Sequence, residues 1–214
     1  MFKTVREIKS KENNSIVLLE SQSENYDKTI LIIGVFHGEE PQGEYLINKF
    51  LEMDLSDMKN KLLIIPCLNP DGKKKNQRQN SNGVDLNRNF PTKNWCKSDK
   101  KEYFGGDEPA SEIETKFMME ILSGYKIDAI LSIHAPFEIV NYDGPAKNLA
   151  EKISQLTGYK VQADIGYPTP GSFGNYAGVE RNIPTITLEL PENQDNDTLW
   201  HVNKPVFEYL SKQF

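Results

Sequence analysis

Five short runs rich in Ile, Leu and Val punctuate this chain, with helix-periodic stretches between them, and that alternation limits what it can fold into. The runs are Ser15–Leu19, Thr29–Phe36, Lys61–Cys67, Ala129–Ile133 and Pro184–Leu190. Each is short and rich in Ile, Leu or Val, as buried strands are. Between them, Glu44–Met53 brings Tyr45, Leu46, Phe50 and Leu51 onto overlapping turns. Ser111–Leu122 opens with Ser-x-x-Glu, a capping-box pattern, and carries Ile113, Phe117, Ile121 and Leu122. Pro145–Leu156 and Thr198–Leu210 read the same way. Strands alternating with helices predict an α/β fold of three layers, α/β/α, around a central mixed and mostly parallel sheet. With 214 residues, a single catalytic domain over 1–214 is expected. Asn69–Pro109 lacks periodicity and is rich in Asn, Gly, Lys and Asp. A loop of that length in a compact domain is functional or disordered.

Charge and composition narrow the function classes. The net charge is −6, and Lys73-Lys74-Lys75 is a lone basic run, so nucleic acid is not expected as a partner. No run of about 18 apolar residues exists, so no membrane helix is expected. The opening MFKTVREIKSKENNS is charged throughout; it predicts no secretory signal and a cytoplasmic location. Cys67 and Cys96 make neither a disulfide framework nor a CxxC metal pair. No feature of the sequence sets an oligomeric state.

Sites in open α/β sheets gather at the carboxyl ends of strands. His37 directly follows the run Thr29–Phe36, and His134 ends Ala129–Ile133. Glu40 lies three residues after His37, so one turn would bring both side chains to one face. Two imidazoles and a carboxylate make the His₂Glu set of a catalytic zinc, with the fourth position left open. The pattern is not HExxH, since Gly38 follows His37 and residue 41 is Pro. A strand-end histidine can equally be structural. Glu189 stands inside the apolar run PTITLEL. A carboxylate there is costly unless it works chemically or is paired, with Arg88 or Arg181 the candidate partners.

HGEE at 37–40, NPDG at 69–72, GVDLNRNF at 83–90, SIH at 132–134 and TLEL at 187–190 together resemble the zinc carboxypeptidase family, in its order and spacing, over residues 29–191. The segment from Asp143 to Pro191 resembles the murein peptide amidase A-like branch of that family. The resemblance implies one zinc ion held by His37, Glu40 and His134. It implies Glu189 as general base and acid, and Arg78 as stabiliser of the oxyanion. Asn87 and Arg88 match the pair that grips a terminal carboxylate, and Asp85 the carboxylate behind the first zinc histidine. Tyr167 matches the tyrosine that closes over substrate. A cis peptide after the last zinc histidine would fall at Ala135–Pro136. The implied substrate is a small murein tripeptide, cut at its γ-D-glutamyl–meso-diaminopimelate bond. An N-acyl amino acid deacylase of the aspartoacylase or succinylglutamate desuccinylase type is the alternative. Arg181, Glu180 and Asn175 fall in the region that lines the family's specificity pocket. His201 matches no motif and is expected to be structural or exposed.

Overall fold

The computed structural model describes residues 2–22 and 26–214. Eight strands form one sheet: β1 (Phe2–Lys9), β2 (Ser15–Ser21), β3 (Thr29–Ile33), β4 (Lys61–Ile65), β5 (Ala129–His134), β6 (Phe137–Asp143), β7 (Lys160–Gln162) and β8 (Thr185–Pro191). Their order across the sheet is β1-β2-β4-β3-β5-β8-β6-β7. The centre, β4-β3-β5-β8, is parallel, while β1, β2 and β6 join antiparallel to their inner neighbours. Helices are α1 (Gln42–Leu51), α2 (Pro70–Lys75), α3 (Ile113–Gly124), α4 (Lys147–Thr157) and α5 (Asn196–Lys212).

Strand β3 shows why the sheet is covered on both sides. All five of its residues are buried, and successive side chains point to opposite faces. Ile30 and Ile32 enter a core with Leu46 and Phe50 of α1, Ile153 of α4 and Phe207 of α5. Leu31 and Ile33 enter a second core with Phe117, Met118 and Ile121 of α3. Burying each such side chain contributes about 1.5–3 kcal/mol. Leu86 and Phe90 of the expected irregular stretch, and Phe173, pack into this second core as well. That long connection is therefore anchored by its own apolar residues. The three-layer mixed sheet is the expected fold.

The details differ in three places. Strands β1, β6 and β7 were not expected from periodicity. In β1 the register with β2 shifts between Thr4 and Arg6, which breaks the alternation a period-two reading needs. The Ser111 capping box does not form. Its hydroxyl donates to Glu112 Oε1 at 2.7 Å and accepts from Asn89 at 2.9 Å, and the helix starts one residue later with Glu112 at the cap position. The strand expected to reach Phe36 ends at Ile33, because the chain turns out of the sheet with Val35 at φ 55°. A β-branched residue in that region is strained. Among the described residues no helix is long and apolar enough to cross a membrane.

Candidate metal centre and cleft

The parallel register of β5 and β8 pairs His134 with Glu189, so two apolar strands deliver an imidazole and a carboxylate side by side. His37 arrives from the neighbouring strand end. Asn69 shapes that end: its amide donates to Phe36 O and Arg78 O at 3.2 Å each, while its Oδ1 caps Gly72 of α2. A side chain at Gly38 would land 2.0 Å from the Gly72 carbonyl carbon, so the turn carrying His37 can lie against α2 only without one. Glu40 N donates to His37 O at 3.1 Å, closing the turn that brings the two side chains together.

The donor atoms converge. His37 Nδ1 lies 2.8 Å from Glu40 Oε1, His134 Nδ1 lies 3.0 Å from Glu40 Oε2, and the two Nδ1 atoms are 3.3 Å apart. All three residues are buried, and one ligand atom from each falls within 4.8 Å of the others. Bonds of about 2.0–2.2 Å to a tetrahedral ion would place such atoms about 3.3–3.6 Å apart. The set fits zinc with small outward movement. The far nitrogen of His37 faces Asp85 Oδ1 at 3.1 Å, which puts its proton there and turns the Nδ1 lone pair towards the metal position.

Electrostatics tie the group together. Burial disfavours the His37 imidazolium, but Glu40 and Asp85 outweigh it and push the ring up to about 9. Glu40 is opposed by burial and is still held well below the carboxylate range by His37 and His134. Asp85, fully buried, is likewise held low by His37 and Arg78 against its desolvation. Glu189 is the exception. Burial raises its pKa, and its Oε2 has no hydrogen-bond partner. No ion pair to Arg88 or Arg181 is present among the described residues. Its second expected reading, a structural salt bridge, is absent.

Arg78, Asn87, Arg88 and Tyr167 line the same cleft, of about 320 Å³. Arg78 donates from Nε to Asp85 at 3.0 Å, and its Nη1 comes within 3.3 Å of His37 Nδ1. The guanidinium is thereby held at the edge of the metal position. Asn87 is the middle residue of the 3₁₀ turn Leu86–Arg88, whose start is capped by Asp85. Its Oδ1 accepts from Phe173 N at 2.9 Å. Arg88 donates to Asn87 O at 2.7 Å, and among the described residues no carboxylate within 4.0 Å answers its charge. Tyr103 was missed by sequence reasoning. Its ring packs 5.6 Å from the Arg78 guanidinium and 5.5 Å from that of Arg88, and nothing in KEYFGG signals that role. Tyr167 is 38% exposed on the rim, 6.4 Å from the Tyr103 ring. Ala135–Pro136 is cis, as expected. His201 is exposed.

None of the three expected specificity residues lines the cleft. Arg181 stacks 3.2 Å over the Tyr176 ring and donates to Tyr176 O. Glu180 accepts from Lys93 N. Neither lines the cleft. Asn175 is spent on Thr169 and Ser172. The wall there is formed instead by Asn141, Asp143, Ser172 and Thr187.

A two-histidine, one-glutamate group at the carboxyl edge of a parallel sheet, with a buried carboxylate beside it, is the site of a metallopeptidase. Residues 3–148 match the zinc carboxypeptidase family model, and the chain belongs to that family. Its members are zinc-dependent peptidases and amidases, and His37, Glu40 and His134 can hold the ion. Among curated proteins it is similar to murein peptide amidase A of Escherichia coli K12, with 30% identity over 137 residues. That match spans 58% of this chain and 56% of the amidase, a little over half its length. Among solved structures it is similar to the murein-tripeptide amidase of Escherichia coli O157, at TM-score 0.85 and 25% identity, covering 98% of this chain and 90% of that one. Carboxypeptidase A of Helicoverpa armigera shares the fold at TM-score 0.78 and 20% identity, covering 98% and 66%.

Proposed function

We propose that residues 1–214 form one catalytic domain that releases the C-terminal residue from a small peptide, cutting the γ-D-glutamyl–meso-diaminopimelate bond of murein tripeptide. The observation that carries the reading is the placement of Arg88, with no carboxylate within 4.0 Å among the described residues, in the cleft that holds His37, Glu40, His134 and Glu189. A planar fork with no acidic partner within 4.0 Å among the described residues suits a terminal carboxylate, which binds it through two oxygens. Asn87 completes that grip. The similarity to the murein amidases supports the particular bond.

Zinc, bound by His37, Glu40 and His134, would bring water towards a pKa of about 7 and polarise the scissile carbonyl. Glu189 takes the water's proton and returns it to the leaving amine nitrogen. Its burial, which favours the protonated form, suits the second half of that task. Arg78 meets the negative charge that develops on the carbonyl oxygen. Asp85 holds His37 in one tautomer and Arg78 in one orientation. Tyr167, on the rim, closes over the bound peptide. The cleft's carboxylates disfavour the acidic acyl amino acids of the deacylase alternative. Free Cys67 and Cys96 suit a reducing cytoplasm and a role in recycling murein peptides, with no nucleic-acid or membrane partner.

The test is zinc-loaded protein with L-Ala-γ-D-Glu-meso-diaminopimelate, products followed by mass spectrometry. Release of diaminopimelate is expected. A chelator should abolish it, and Glu189→Gln should slow it by roughly 10²–10⁴-fold. An intact tripeptide alongside hydrolysis of N-acetylaspartate or N-succinylglutamate would replace this reading with the deacylase.

A further inference from the structure

Asp143 ends β6 on the wall of the cleft that Thr187 and Glu189 also line, opposite Thr185 and four residues along the sheet from the Glu189 pair. Among the described residues no hydrogen bond or salt bridge engages its side chain, and no arginine or lysine stands against it. Glu40 is answered by two histidines and Asp85 by His37 and Arg78; Glu189, the other unpaired carboxylate, already has its task as general base. Burial raises the Asp143 pKa with no opposing charge.

The surrounding backbone is shaped around this one side chain. A Cβ at Gly174 would fall 2.1 Å from Asp143 Oδ2, and one at Gly178 would fall 2.5 Å from Asp143 Cβ. Both glycines belong to Gly174–Val179, a π-helical segment, a geometry that concentrates at functional sites. A carboxylate seated in space that two glycines leave open, yet unpaired, is costly in the free protein. It becomes favourable once a cation from outside completes it.

We propose that Asp143 receives an ammonium group on the side chain of the substrate's C-terminal residue, so that the cleft selects diaminopimelate- or lysine-like residues over neutral and acidic ones. Arg88 and Asn87 hold the terminal carboxylate, and Asp143 reads what the side chain carries. The inference rests on the carboxypeptidase reading above.

The test compares L-Ala-γ-D-Glu-L-Lys with the same peptide ending in norleucine, which keeps the methylene chain and lacks the ammonium. Calorimetry on the zinc-loaded Glu189→Gln protein measures binding, and the wild type measures kcat/KM. Binding should favour the lysine peptide by about tenfold or more, a charge-assisted hydrogen bond being worth that ratio. Adding Asp143→Asn to the same background should reduce the ratio to about one through the lysine peptide alone. Equal binding of the two peptides to protein that carries Asp143 overturns the proposal and needs no variant at that position. A ratio that survives Asp143→Asn overturns it too. Binding that follows the expected pattern without wild-type cleavage of either peptide would sink the hydrolase reading while Asp143 kept its role.

Discussion

Asp85, behind the His37 ring, and Asp143, on the cleft wall, are carboxylates of one site in opposite surroundings. Asp85 is fully buried and accepts from His37, from Arg78 and from Asn87 N at 2.9–3.1 Å. Its neighbours hold it ionised. Asp143 has none of these partners, and burial pushes its pKa up. The difference separates two jobs. Around Asp85 every group is oriented before substrate arrives, which is what a reaction centre needs to avoid reorganisation during the chemical step. Around Asp143 the last partner is left to the ligand, which is how a site makes a wrong ligand expensive.

Breaking the paired side should have the larger effect. Asp85→Asn replaces an all-acceptor group with one that presents a donor to His37 or to Arg78. Zinc affinity should fall about 10–100-fold, measured by competition with a chelator, while peptides ending in lysine and norleucine lose rate together. A lysine-selective loss would erase the division between the two carboxylates. Asp143→Asn has the reverse signature, changing the ratio between peptides and leaving zinc affinity where it was.

Glu114 sharpens the comparison from outside the site. It is buried on α3, where Asn80 reaches its Oε2 at 3.4 Å and its Oε1 has no partner. Burial, with Glu112 and Asp71 adding repulsion, raises it from 4.5 to about 7. The folded state therefore holds more protons than the unfolded chain between these values, and stability falls as pH rises through that window. Glu114→Gln should remove the dependence. Relative to wild type it should gain about 1–3 kcal/mol at pH 8 and little at pH 5, read from denaturant melts at the two pH values. An equal change at both would show that Glu114 is already ionised in the folded protein.

Much of this was legible in the residues. The apolar runs located the buried strands, and the two strand-end histidines with Glu189 located the cleft, because short continuous Ile/Leu/Val runs have few other uses. What escaped was held by local polar geometry. Asn69, Asn80 and Asn89 knit residues 69–112 through side-chain amides, and period has no access to such bonds. Ser111 looked like a helix cap, but a hydroxyl can serve elsewhere, and Asn89 and Glu112 claim it. Strand β6, FEIVNYD, lies half exposed beside a single run of Ile and Val. Without that strand Asp143 had no place on the cleft wall, and the specificity region fell by default on Glu180 and Arg181, which turn away from it.

The most direct test of the central claim is anomalous diffraction at the zinc edge from zinc-loaded crystals. The account expects one peak at full occupancy, about 2.0–2.2 Å from His37 Nδ1, a Glu40 oxygen and His134 Nδ1, with Glu189 beside it and unligated. Saturating zinc that leaves this position empty, or a peak that takes Glu189 as a ligand, would contradict it.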